Sequence, residues 1–125
     1  MRLDEARVAR LATVDETGQP HLVPVTFAQQ DDLIVIAVDH KPKSTRALRR
    51  LRNIQANSHV SLLVDEYSDD WTQLWWIRAD GTARIADTTE AVTWLIKKYP
   101  QYQENPPAGP FILITITHQT TWSAS

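Results

Sequence analysis

Residues 41–53 read Lys41-Pro42-Lys43-Ser44-Thr45-Arg46-Ala47-Leu48-Arg49-Arg50-Leu51-Arg52-Asn53, six cations with no acid among them. The whole chain of 125 residues has 13 Lys and Arg against 15 Asp and Glu, which leaves seven basic and 15 acidic residues elsewhere. The chemistry open to such a stretch is anion binding. Ser44 or Thr45 can cap a helix, and the unpaired N–H groups of a first helical turn attract negative charge. Lys41 and Lys43 stand just before that turn. The competing reading is a solvated basic face that pairs with the acidic segment 65–70, and residue chemistry alone leaves both open.

Other chemistries find no support. His21, His40, His59 and His118 lack metal-ligand spacing, so no metal is expected. The absence of cysteine removes thiolate nucleophiles, thiolate metal sites and disulfides. No serine sits in a Gly-x-Ser-x-Gly elbow. With only Gly18, Gly81 and Gly109 available, a glycine-rich phosphate loop is ruled out. A phosphate would therefore have to be held by the 41–52 stretch. The five tryptophans are a second resource. Trp75 and Trp76 are neighbours in an expected strand and so face opposite ways. One reads as core, and the other is a candidate for a subunit interface or a ligand lid. Trp94 reads as core.

These residues need elements to position them. Residues 8–14 and 21–28 alternate as strands around a turn at 15–18, and Pro24 marks the second as bent, bulged or at an edge. Residues 33–38 are apolar on both faces, as in the centre of a closed sheet. The stretch then opens a helix over about 45–56. Ala47, Leu48, Leu51 and Ile54 fall on one side, with Arg46, Arg49 and Arg50 on the other. Strands are expected at 59–65, 74–85 and 111–117, with a kink or bulge at Asp80-Gly81. A second helix runs from 87 to 99, closed by Pro100, and 101–110 reads as a Pro-rich loop. The expected fold is mainly β with two helices, a six-stranded antiparallel barrel in one domain.

No apolar run is long enough to span a membrane, and the N-terminus lacks a signal-peptide core. A cytoplasmic protein is the expectation. The net charge of -2 argues against nucleic-acid binding.

Three stretches carry a family resemblance: Arg10-Leu11-Ala12-Thr13-Val14 with Gly18-Gln19-Pro20-His21 and Val23-Pro24-Val25; Lys43-Ser44-Thr45-Arg46 with Leu48-Arg49; and Asn53-Ile54 with Val60-Ser61-Leu62-Leu63-Val64. The sequence resembles the pyridoxamine 5'-phosphate oxidase-like split barrels. More closely, it resembles their actinobacterial branch that uses the deazaflavin coenzyme F420. The resemblance implies that Lys41, Lys43, Ser44 and Thr45 hold the cofactor phosphate. It places Pro24, Val25 and Thr26 along the ring system, and Ala37 and Val38 beneath it. Arg49 and Asn53 are further contacts. It implies a homodimer with each site at the subunit interface, so that Trp75, Trp76 or Trp122 comes from the second copy. The implied activity is hydride transfer between the deazaflavin and a small organic acceptor. FMN is the cofactor alternative, and a non-catalytic F420-binding or storage protein is the functional one. The N-terminal helix that often precedes the first strand in relatives is short here.

Overall fold

The computed structural model describes residues 2–38 and 45–125, with 45–48 described by backbone alone. Alternation in the first segment gives strand β1 (Ala9–Val14), with Ala9, Leu11 and Thr13 facing the interior. Asp15 turns the chain. Its carboxylate accepts from the Thr17 hydroxyl at 2.7 Å and from the backbone N–H groups of Thr17 and Gln19. The Thr17 hydroxyl, foremost among these donors, holds the Asp15 carboxyl below its usual range. Gly18 takes a φ of 90°, which most side chains would disfavour. Strand β2 (Pro20–Val25) then returns along β1.

After Thr26 and Phe27, strands β3 (Ala28–Gln30) and β4 (Leu33–Ala37) form a second antiparallel pair. β4 is apolar on both sides because it separates two clusters. Ile34 and Ile36 enter the main core, while Val35 enters a smaller one. Helix α1 (Thr45–Ala56) packs Leu51 and Ile54 on the main core, on the side the sequence assigns to them. β5 (His59–Glu66), β6 (Trp75–Ala86) and β7 (Phe111–Ser123) are long antiparallel strands. The β6–β7 register shifts at Asp80/Gly81, where the sequence expects a bulge. Between β6 and β7, helices α2 (Val92–Lys98) and α3 (Pro100–Glu104) cover the outer face of β4. Ala91, Leu95 and Tyr99 pack there against Val35, Phe111 and Leu113.

The strand order is β2-β1-β5-β6-β7-β4-β3, giving seven strands rather than the expected six. The extra strand comes from the run 21–28. It breaks at Thr26-Phe27, two residues beyond Pro24, and the halves pair with different strands, β2 with β1 and β3 with β4. Pro24 is itself paired with Arg10 on an edge strand, where a missing N–H is tolerated. Leu11, Val25, Ile34, Leu62, Ile77 and Ile114 come from six strands yet share one buried cluster, so the sheet wraps around its core. The barrel is split between β2 and β3, its two end strands.

Three α-helices replace the expected two. Pro100 ends α2, as the sequence indicates, but then opens α3 as its first residue, where the missing N–H costs nothing. β7 also runs six residues past the expected end at 117. The added residues pair with β6, placing Trp122 opposite Trp76. Among the described residues, no helix is long and apolar enough to cross a membrane.

Candidate functional site

The break between β2 and β3 leaves backbone groups that no strand satisfies, and side chains from α2 and its end take them over. Phe27 is fully buried, and its N–H donates to the Tyr99 hydroxyl at 3.1 Å. The Tyr99 hydroxyl has one proton and two carbonyls in reach, Arg7 at 2.9 Å and Phe27 at 3.0 Å. Lys98 Nζ donates to the Phe27 carbonyl at 2.8 Å and lies 4.0 Å from the centre of the Phe27 ring. Arg7 completes the junction by donating to the Lys98 carbonyl. Burial, reinforced by the nearby Arg7 charge, lowers the Lys98 pKa to about 8, and Asp4 opposes the shift.

Beside this junction lies a cavity of about 320 Å³. Pro24, Val25 and Thr26 form one wall, and Ala37 and Val38 form another. Arg50 of α1 lines it too, with Tyr102 of α3 and Pro107 beyond. The structure thus brings together all five residues that the family resemblance assigns to a ring system. The Thr26 and Tyr102 hydroxyls lie 3.1 Å apart across the cavity wall. No carboxylate stands among the described lining residues, so the lining charge is positive.

The other expected site residues divide. Lys41, Lys43 and Ser44 lie outside the described residues, as do the side chains of Thr45 and Arg46. Arg49 is exposed and does not line the cavity, and its charge acts instead on Asp15. Asn53 is buried, and its side-chain amide donates to the buried Thr13 hydroxyl at 3.0 Å. That bond gives Asn53 a structural task, locking α1 onto β1. The sequence reading misses Arg50, Tyr102 and Pro107 as lining residues. Arg50 reads as part of the outward basic face, but half-buries at the cavity rim. The signal that could have found Tyr102 is Tyr99-Pro100-x-Tyr102, a proline at a helix start that carries an aromatic residue back to the barrel.

Trp75 and Trp76 differ in how they pack. Trp75 packs against the main core, and both border a second, larger concavity of about 540 Å³ on the outer sheet surface. Leu22, Leu63 and Trp122 line it with them, and Leu22 is 66% exposed. Charged groups on this face pair locally. Arg78 meets Asp80 at 3.2 Å, and the Ser61 hydroxyl donates to Asp80 at 2.6 Å. Although larger, this concavity is an open, largely apolar sheet face, with Ser61 and Arg78 engaged by Asp80. The smaller cavity holds the convergent polar groups expected of a ligand site. Among the described residues, no cluster of His, Asp or Glu could hold a metal.

The sequence profile of the family described as pyridoxamine 5'-phosphate oxidase matches residues 2–123, nearly the whole of this split barrel. The chain belongs to that family. A search of the curated proteins finds no match. Several solved structures share the fold. A conserved hypothetical protein from Mycobacterium tuberculosis superposes with a TM-score of 0.74 at 23% identity, over 98% of this chain and 80% of its own. A protein described as FAD-binding from Mesorhizobium loti gives 0.68 at 23% identity, over 95% and 85%. HutZ, described as the heme storage protein of Vibrio cholerae, gives 0.68 at 18% identity, over 94% and 85%. At these identities the structural matches establish the fold alone. Proteins that share this barrel thus carry different ligand descriptions.

Proposed function

We propose that this chain is an oxidoreductase of the pyridoxamine 5'-phosphate oxidase family that uses coenzyme F420, with FMN as the alternative cofactor and a small organic molecule as hydride acceptor. The observation that supports it most is the cavity at the barrel split. Its two walls are the end of β2 and the end of β4, and the segment bearing Lys41 and Lys43 follows the second wall directly in sequence. The residues fit such a group. Pro24, Val25, Ala37 and Val38 offer apolar surface to a flat ring, while Thr26, Tyr102 and Arg50 offer hydrogen-bond donors. The FAD-binding description of the Mesorhizobium loti protein favours a flavin-like ligand for this barrel. The cationic stretch favours F420, whose anionic tail would meet Arg46 and Arg49.

When bound, the cofactor supplies the hydride chemistry, so no nucleophile or acid–base dyad is required of the chain. The chain's part is to bind, orient and exclude water. Lys41, Lys43, Ser44 and Thr45 would hold the phosphate, and the β2 and β4 ends would fix the ring plane. We further propose that the working unit is a homodimer, formed through the outer face that carries Leu22, Leu63, Trp76 and Trp122. Of the tryptophans, Trp76 and Trp122 are the better placed to reach a second copy's site, because Trp75 packs against its own core.

The test is a binding titration with F420 and with FMN, followed by hydride transfer from the reduced cofactor to enones, quinones and tetrapyrroles. Micromolar FMN binding without F420 binding would sink the deazaflavin assignment. Tight binding with no turnover on any acceptor would favour a storage protein. Lys43→Ala should weaken cofactor binding about 10- to 100-fold, the worth of a charge-assisted phosphate contact, and shift the melting temperature by only a degree or two. Unchanged binding would return the basic stretch to a solvated face.

A further inference from the structure

The Thr26–Tyr102 hydroxyl pair carries a donor that no other described residue takes up. Two hydroxyl groups have two protons. Their mutual contact at 3.1 Å consumes one. Neither hydroxyl makes another hydrogen bond among the described residues, so the second proton has no acceptor among them. Both residues line the cavity, and Arg50 lines it with them. A phenol is the more acidic of the two hydroxyl types and the stronger donor, so it is better matched to a strong acceptor than to threonine. The threonine hydroxyl then donates to the phenol oxygen and steadies it.

The position of Tyr102 is fixed from behind. Its ring meets Tyr99 edge to face, with centroids 5.7 Å apart and planes at 79°. Tyr99 is in turn pinned by the backbone of Phe27 and Arg7. A donor held this way loses little freedom on meeting its acceptor, which favours a specific contact over a chance one. The described lining has a cation and no carboxylate, so it would accept a carbonyl oxygen, neutral or gaining negative charge, and would not suit a ligand ammonium group.

We infer that Tyr102 is a ligand-contacting residue of this cavity, donating a hydrogen bond to a carbonyl oxygen of the bound ring while Thr26 donates to Tyr102. The inference rests on the cofactor reading above and deepens it, assigning the α3 residue Tyr102 a specific acceptor on the ring. It makes α3 part of the binding site, with Tyr102 selecting for a ring that presents a carbonyl at this edge.

The probes are F420 and FMN, titrated against wild type, Tyr102→Phe and Thr26→Val, with binding constants and the absorption spectrum of the bound ring recorded together. Tyr102→Phe keeps the edge-to-face ring contact and removes only the hydroxyl, so it should fold normally. It should weaken binding of the preferred cofactor about fivefold to tenfold, the value of one hydrogen bond of about 1–1.4 kcal/mol. It should also move the absorption band of the bound ring, because the carbonyl loses a donor. Thr26→Val should show the smaller loss, about twofold, since the phenol still donates. A purely structural role for Tyr102 would alter melting temperature but leave the bound spectrum in place. Wild-type binding with an unchanged constant and spectrum in Tyr102→Phe would overturn this inference alone. Failure of wild type to bind either cofactor would overturn the cofactor reading and this inference with it.

Discussion

The junction at Phe27 shows how individual side chains stand in for absent strand pairing. Tyr99 occupies the place of a backbone partner: its hydroxyl accepts from the Phe27 N–H and donates to one of two carbonyls. Removing that hydroxyl leaves a fully buried N–H unpaired. Tyr99→Phe is therefore expected to cost about 1–3 kcal/mol, read as a lower urea midpoint at unchanged slope. Lys98 makes a pH-dependent contribution. Its folded pKa of about 8 lies below the usual 10.5, so the folded state binds this proton less readily than the unfolded chain does. The resulting penalty is fully present below about pH 8 and fades as pH rises toward 10.5. Wild type should thus gain stability relative to Lys98→Met between pH 7.5 and pH 9.5, in paired thermal melts. A constant gap would mean that Lys98 keeps an ordinary pKa. None of this was legible from sequence, because Lys98 and Tyr99 read as the end of an ordinary amphipathic helix. Their partners, Arg7 and Phe27, lie more than 70 positions away in the chain.

At the scale of elements, apolar periodicity sufficed for several elements with one wet and one buried face. α1, β1 and β5 lie within a residue of their expected bounds for that reason, although α2 starts at Val92, five residues after its expected start. β4, buried on both sides, was also legible as a continuous apolar run. The misses share a cause. The outer half of β7 is polar or half-exposed, so nothing in its side chains marks burial, and it is held by backbone pairing with β6. The split of residues 21–28 into two strands depends on which distant partners each half finds. For the site, the ring-lining residues came from resemblance and the structure gathers them in one cavity, whereas the α3 contribution depends on a tertiary fold-back. The β6 bulge carries its own prediction. A Cβ on Gly81 would run into the Thr115 carbonyl on β7, a backbone atom that cannot swing aside. Gly81→Ala should destabilise by about 1–3 kcal/mol, the typical cost of overpacking, as measured by chemical denaturation. Little or no change would show that the β6–β7 ribbon relaxes there.

For the whole molecule, the proposed homodimer turns on one face. The outer face combines exposed Leu22 and Trp122 with Trp76, and its Arg10 and Arg78 pair with Asp65 and Asp80 of the same chain. A patch of this kind suits a self-complementary two-fold contact. Leu22→Glu should convert a dimer to a monomer in analytical ultracentrifugation and, if a tryptophan from the second copy covers the ring, should also weaken cofactor binding. A monomeric wild type would remove the dimer from the proposal.

The strand order bears on the same question from another direction. β2 and β3 stand at the two ends of the sheet and are also successive in the chain, separated by two residues. Among the described residues, the strands with an unpaired side are thus tethered to each other at the split. Neither is well placed to recruit a foreign strand, and the short β3 gives little template for one. A sheet arranged this way is poorly suited to growth by strand addition. Its routes to assembly run through side chains on its faces, so that a change of surface residues can alter partnership while the ladder of strands stays intact.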